Sequence, residues 1–419
     1  MNLATDFLNK RIVPTLTALS ENTYMSAIRA GMVAVVPLTI IGGFFIIVSY
    51  FPITGWDKIV APYLQLLQVP VTATFGLLAV FVCFAIGYDL GKQLQQEAIV
   101  SASMATVVFL MIQLKLGEKP EDISFSMDTL GSKGLFTAIL IALISVRVQK
   151  FFSDKNFVIK LPANVPPVVY ESFLSLSPLF FLVLVFWVIR FVLGVDIDHI
   201  VTTAFKPVVR ALDTLPGILV YAFLVTILWS VGINGDNAMD AIVAPIFLQF
   251  LAANVEAASA HQPMPYITAL GFFTIFVNVG GTGATIALAL IMLNSKEPGF
   301  RKVSRLSLPT QIFQINEPIF FGFPIVLNPI FMIPYILNAL ILTAGTYLLM
   351  SWGVIHKPFV NVPWTTPPII GHYLVSGGDW KAAVWGVISI VIAMIVYFPF
   401  AKAAERQRLK AEAAGTAHE

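Results

Sequence analysis

The sequence predicts an all-α, polytopic membrane protein of about ten transmembrane helices, two re-entrant hairpins and one interfacial linker helix. Three observations carry that prediction. Of the 419 residues, 58% are hydrophobic and only 11% charged, with a mean hydropathy of +0.85, whereas soluble domains carry about a quarter charged residues. Several apolar runs reach the roughly 20 residues that a helix needs to cross about 30 Å of hydrocarbon. The short alternating segments of a membrane β-barrel are missing. A formal net charge of +2, with the cations scattered at helix ends, offers no face to nucleic acid. The single cysteine, Cys83, excludes an intrachain disulfide. Without a Cys/His cluster no structural zinc is expected, and nothing requires another metal or a cofactor.

The first 27 residues contain Asp, Glu and Asn and lack an apolar signal core, so the first span is expected to be retained. Spans are read near 30–51, 72–91, 96–114, 134–152, 171–194 and 216–233. Four more follow near 239–255, 266–293 with an interruption at Gly280-Gly281, 324–350 and 380–401. The stretches 306–323 and 358–377 are apolar but broken by Pro and Gly and too short to cross, so they read as re-entrant hairpins. Such backbone is tolerated at membrane depth only where protein or a water-filled cavity surrounds it. Between the halves, 196–213 places Ile197, Val201, Phe205, Val208 and Leu212 at helical spacing, with Asp198, His199 and Arg210 elsewhere, as an interfacial helix does.

Lysine and arginine set the orientation. Lys10, Arg11, Arg29, Lys92, Arg147, Lys150, Lys155 and Lys160 fall on one side of this scheme, as do Lys296, Arg301, Lys302, Arg305, Lys402, Arg406, Arg408 and Lys410. The positive-inside rule makes that side cytoplasmic, with both termini on it. Lys115, Lys119 and Lys133 are the exceptions, in an outside loop with Glu118, Glu121, Asp122 and Asp128. The predicted organisation is a five-span scaffold over 1–195, a linker over 196–215, a substrate unit over 216–402 holding nearly all the intramembrane Asn, Asp, Glu and Gln, and a cytoplasmic tail over 403–419.

Candidate chemistry concentrates in that second half. In "QINEPIFFG" (314–322), Glu317 is the only charged side chain between Arg305 and His356. An ionised carboxylate near the bilayer centre costs roughly 2.5–3.5 kcal/mol on insertion scales, so such a residue usually faces a cavity and serves function. Pro318 removes a backbone donor and disfavours helix at Glu317, leaving polar groups free for a ligand. Gln314 and Asn316 supply amides suited to sugar hydroxyls; the bland alternative is a neutral, structural Glu317 that pins the hairpin. "WSVGINGDN" (229–237) surrounds Asn234 with glycines before Asp236 and Asn237, either for close approach of a ligand or as a tight interhelical turn. "FVNVGGTGAT" (276–285) puts Asn278, Gly281 and Thr282 in a break like those of discontinuous transporter helices, or in a simple packing contact. Trp364 in "NVPWTTPP" could stack on a pyranose ring or anchor at the interface.

Together "AIRAGMVAVVPLTIIGGFF" (27–45), "NFVIKLPANVPPVVYESF" (156–173), "GGTGAT" (280–285), "LPTQIFQINEPIFFGFPIVLNPIFMIPY" (308–335) and "VPWTTPP" (362–368) resemble the membrane C component of bacterial phosphotransferase-system sugar permeases, in the lactose, cellobiose and diacetylchitobiose branch. The match runs in order over nearly the whole chain, and its long NEP block is highly specific. The resemblance implies a homodimer in the bacterial plasma membrane, with N-terminal spans at the interface and a C-terminal domain that moves a disaccharide as an elevator. It also implies phosphorylation of the sugar's 6-hydroxyl by a phosphocysteine on a separate cytoplasmic B component, itself served by an A component. Family sugar-binding positions map onto Glu317, Asn278 and Trp364, with Asn316, Gly281 and Thr282 beside them. One departure stands out: the family motif GIHG reads GING here, so Asn234 replaces a histidine. A carboxamide cannot act as general base. The expectation is therefore that Glu317 is base and ligand, with Asp236 nearby, and that Asn234 is a ligand only. An uncoupled sugar transporter or facilitator and a membrane sugar sensor are the competing readings.

Overall fold

The computed structural model describes residues 22–49, 55–117, 119, 122–157, 159, 167–323 and 325–415. Lys10, Arg11, Glu118, Glu121, Lys160, the 50–51 end of the first predicted span, most of the first half of the 156–173 motif and the last four residues of the tail lie outside the described residues.

α1 (Thr23–Ala34) starts at Asn22, whose side chain accepts from the Tyr24 amide at 2.9 Å. α2 (Val36–Ser49) continues it as one apolar stretch, Thr23–Ser49; Pro37, which has no N–H to give the ladder, marks the handover. α3 (Trp56–Val60), α4 (Leu64–Thr74) and α5 (Leu78–Gln93) follow. They extend the second predicted span backwards into a 36-residue run, Lys58–Gln93, whose early part α4 folds against α2. After α6 (Ala98–Gln113), the loop predicted to lie outside forms a small antiparallel hairpin, β1 (Leu114–Leu116) with β2 (Ile123–Phe125), with Lys115 opposite Ser124. Then come α7 (Met127–Leu130), α8 (Leu135–Asp154) and α9 (Pro167–Trp187).

α10 (Ile197–Leu212) forms within the predicted linker, and it bends by 80° into α11 (Leu215–Ser230). α12 (Gly235–Ser259) leads to a π-turn at Phe272–Val277, a glycine loop and α13 (Ile286–Met292). α14 (Pro298–Ile312) and α15 (Glu317–Gly322) enclose the first predicted hairpin tip, and α16 (Pro329–Ser351) follows. The second predicted hairpin is an irregular loop closed by α17 (Ile370–Val375), where the Phe359 and Val360 amides both donate to the Val375 carbonyl. α18 (Trp380–Gly415) ends the chain.

Among the described residues, seven helical stretches are long and apolar enough to cross a membrane. The other three predicted spans are present in reduced form. α6 and α11 have 16 residues each, about 24 Å of helix. The stretch 266–293 is a broken element whose only α-helical part is the 7-residue α13. The cations Arg301, Lys302 and Arg305 sit on α14, which starts earlier than the predicted hairpin.

Packing divides along the chain. α1, α5, α6, α8 and α9 form one group, with Ala27, Val82, Ile86, Val108 and Ala142 fully buried among them. α11, α13, α16 and α18 form a second, joined by α14, α15 and α17. α12 touches both, packing on α11 and also on α1 and α8. α10 rests on α8, where the Phe205 ring stacks on Phe136 at 4.5 Å, and Asp198 accepts from Gln113 at 3.2 Å. At the elbow, Asp213 Oδ1 accepts from the Ile267 and Thr268 amides (2.9 and 3.0 Å) and from the Thr268 hydroxyl (3.1 Å), while Tyr347 donates to the Asp213 carbonyl.

Candidate functional site

Three interruptions in helical backbone meet inside the second group. The first is the α11–α12 turn. Gly235 is required there, because a Cβ would fall 2.0 Å from the Val225 carbonyl oxygen, inside any real contact. Asn234 is the N-cap of α12; its Oδ1 accepts from the Asn237 amide at 2.9 Å, satisfying one of the free donors of a helix start. Asp236 lies in the first helical turn, where a carboxylate complements the helix dipole.

The second interruption is the loop 278–285, and Asp236 is what it binds. Thr282 Oγ1 donates to the Asp236 carboxylate at 2.6 Å, Trp229 Nε1 at 2.8 Å and Asn278 Nδ2 at 3.3 Å. The carboxylate thus joins the end of α11, the start of α12 and the glycine loop. Gly281 has a φ of +106°, and a Cβ on it would lie 2.4 Å from Asn316 Cβ, so both the backbone and the neighbour demand glycine.

The third interruption, 313–316, clamps the same loop from the other side. Gln314 Oε1 accepts from the Gly280 amide (2.8 Å) and the Gly281 amide (3.3 Å), and its Nε2 donates to the Thr274 carbonyl. Asn316 Nδ2 donates to the Thr282 carbonyl at 3.0 Å. Tyr397 of α18 donates to the Gly283 carbonyl at 2.9 Å. Non-helical peptide groups in a lipid-embedded segment have no water to turn to, and these side chains are their replacement partners.

Glu317 opens α15 directly after Asn316, with Pro318 next to it. It differs from its neighbours: its side chain is exposed, and it makes no hydrogen bond or ion pair among the described residues. The buried Tyr335 hydroxyl lies in the electrostatic field of Glu317, Asp236 and Tyr397 and has no hydrogen-bond partner there. Asn278 Oδ1 is likewise buried without a partner.

Of the positions singled out by sequence, Asn234, Asp236, Asn278, Gly281, Thr282, Asn316 and Glu317 are brought together by these three interruptions. Trp364 is not part of that bonded cluster; its ring is 58% exposed, and it shares no hydrogen bond or ring pair with the others. The sequence reading singles out Gln314 as a sugar amide, whereas the structure spends both ends of that side chain on backbone groups. It does not single out Trp229 or Tyr335, and the i, i+7 pairing of Trp229 with Asp236 across a turn leaves no signature in a one-dimensional pattern. A cavity of about 370 Å³ shares no residue with this cluster; it lies between 68–76, 127–132 and the 252–260 end of α12.

The family model described as "Phosphotransferase system, EIIC" matches residues 29–339, well over half of the chain. The chain belongs to this family. This EIIC chain is 34% identical to the "PTS system cellobiose-specific EIIC component" of Geobacillus stearothermophilus, over 97% of this chain and 95% of the relative. It is 33% identical to the "Lichenan permease IIC component" of Bacillus subtilis (strain 168), over 98% and 96%. Among solved structures, the EIIC chain superposes on the transporter ChbC, the IIC component of an N,N'-diacetylchitobiose-specific phosphotransferase system, with a TM-score of 0.90 at 33% identity. That alignment covers 97% of this chain and 99% of the other. The polytopic EIIC fold and its place among sugar-transporting phosphotransferase components therefore rest on sequence and structure together.

Proposed function

We propose that this EIIC chain binds a β-linked disaccharide such as cellobiose or chitobiose, carries it inward by an elevator-type movement, and presents its 6-hydroxyl to the phosphocysteine of a separate B component that is recharged by an A component. The observation that carries the reading is the contrast inside the site. Asp236, Gln314, Asn316 and Thr282 bond to one another and to the glycine loop, whereas the Glu317 carboxylate and the Trp364 ring keep free faces. Glu317 accordingly takes the sugar hydroxyls and acts as base, and Trp364 stacks on a ring. Asn234, Asp236, Asn278, Gly281, Thr282 and Asn316 reach the sugar by exchanging part of their mutual bonding for it. In the transfer step Glu317 takes the 6-hydroxyl proton, the oxygen bonds to phosphorus, and the S–P bond breaks to leave a thiolate.

In this reading residues 1–195 are the scaffold, with homodimer contacts on its spans, 196–215 the linker, 216–402 the carrier and 403–419 a cytoplasmic tail of a protein in the bacterial plasma membrane. The cations at 296–305 and 402–410 support the placing of both termini inside. The test is sugar phosphorylation with purified soluble partners. Glu317→Gln is expected to lower the rate about 10²- to 10⁴-fold, the range for losing general-base assistance; an unchanged rate would remove the assignment. A second reading, a facilitator uncoupled from phosphorylation, is favoured by one observation: Asn234 stands at the family's histidine position, and its side-chain oxygen is engaged in capping α12. Accumulation of unmodified sugar in vesicles lacking any B component would support it.

A further inference from the structure

The cytoplasmic ends of α14 and α18 are joined more closely than their separation in sequence suggests. Glu405 on α18 accepts from the Ser295 hydroxyl (2.6 Å), the Lys296 amide (2.5 Å) and Lys402 Nζ (2.7 Å). The Arg408 guanidinium lies 5.2 Å from the centre of the Phe300 ring. Two local acids are consumed in this joint: Glu405 is buried, and buried Glu297 caps α14 through the Gly299 and Phe300 amides. Over 296–305 and 402–410, what remains outward among the described charged side chains is cationic. Arg301, Lys302 and Arg305 on α14 and Arg406 and Lys410 on α18 make no ion pair among the described residues, and all but the half-buried Arg301 are exposed. Leu306, next to Arg305, is 66% exposed.

We propose that this α14–α18 surface docks an acidic, phosphoryl-bearing protein, the phosphorylated B component of the reading above, on which the inference rests. Two lengths favour a protein over lipid headgroups as its occupant. α18 has 36 residues, about 54 Å, of which roughly 30 Å suffices for the hydrocarbon core and a further 5–8 Å for one headgroup layer. Counted from Trp380, Arg408 and Lys410 therefore stand beyond the headgroups, where cations serving only as membrane anchors gain little. On α14, Arg305 is seven residues, about 10 Å, from the helix end at Ile312, and five further residues spanning at most about 18 Å lead to Glu317, so a protein seated there holds its phosphoryl group within reach of the site. The arginines of the patch belong to the residue types that carry most binding energy at protein interfaces, and the exposed Leu306 adds an apolar contact beside Arg305.

The experiment measures binding of a purified, phosphorylated cellobiose-type B component to the full chain in nanodiscs of phosphatidylcholine alone and with phosphatidylglycerol. R301E/K302E/R305E and, separately, R406E/K410E are expected to raise Kd about ten-fold or more and to flatten its salt dependence, in both lipids, with sugar affinity unchanged. R301Q/K302Q/R305Q, a milder change, is expected to fall between. Unchanged B-component affinity in variants that still bind sugar would overturn the proposal, as would a loss seen only in the phosphatidylglycerol discs, which would assign the patch to anionic lipid. Failure of the unmodified protein to bind the B component at all would instead remove the coupled reading on which the docking surface stands.

Discussion

Two polar clusters support non-helical backbone in this chain, and they are finished differently. At the α10–α11 elbow, Asp213 accepts from two amides and a hydroxyl of the 267–268 segment, Asn254 bonds the Tyr266 amide and the Tyr266 and Pro358 carbonyls, and Lys357 donates to the Met264 carbonyl at 2.7 Å. None of these side chains has an orphaned buried polar atom. In the cluster around the glycine loop, Asp236 and Gln314 are just as fully bonded, yet Tyr335 Oη and Asn278 Oδ1 are buried without partners, and Glu317 faces outward unpaired. A closed network fixes geometry. An open one, whose orphaned groups cost about 1–3 kcal/mol each until something binds them, is what a ligand site requires.

Substitutions at five positions test that contrast. The largest effect is expected at Glu317, where glutamine keeps the shape and removes the base: the phosphorylation rate falls by two orders of magnitude or more, with the thermal midpoint of the purified protein held. Gly281→Ala comes next. It forces a side chain into a φ of +106° and against Asn316, at a cost of order 1–3 kcal/mol from backbone strain alone; calorimetry should show sugar binding lost. Asp213→Ala separates the two clusters most cleanly. It orphans two amide donors, lowering stability by about 2–4 kcal/mol and the melting temperature with it, while the sugar affinity of the folded fraction stays put. If affinity falls in step with stability, the elbow is not merely structural.

Gln314→Leu should do the reverse, weakening sugar affinity by roughly ten-fold for the loss of about 1.4 kcal/mol of loop support. Gln314→Glu, which keeps the acceptor for the Gly280 and Gly281 amides, should restore most of it. Equal loss in both variants would mean that the amide nitrogen, which donates to the Thr274 carbonyl, carries the support instead. The smallest effect is expected at Asn234. Replacement by alanine removes a helix cap worth about 1 kcal/mol, and serine returns it; a phosphorylation defect larger than the stability change would support the ligand role proposed for this side chain.

Much of this was legible in one dimension, because a bilayer imposes length and polarity rules on each segment separately. Apolar runs gave the spans, and the spacing of Ile197, Val201, Phe205 and Leu212 gave helix α10. The NEP and GGTG stretches showed as interruptions because proline, glycine and carboxamides break a helical pattern locally. Shorter elements escaped. The β-hairpin at 114–125 is only three residues per strand, and the reach of α14 back to Pro298 was obscured by its charges.

By itself, then, the sequence determined that the chain crosses the membrane many times and which stretches could not be continuous helix. Only the tertiary structure decided what those stretches do to each other. Asp236 and Thr282 are 46 residues apart, and Gln314 and Gly280 are 34 apart, when they bond. Residue type names the donors and acceptors available, but in a medium without water each must find its partner wherever the fold brings one. That choice leaves Gln314 spent on backbone amides and Glu317 free.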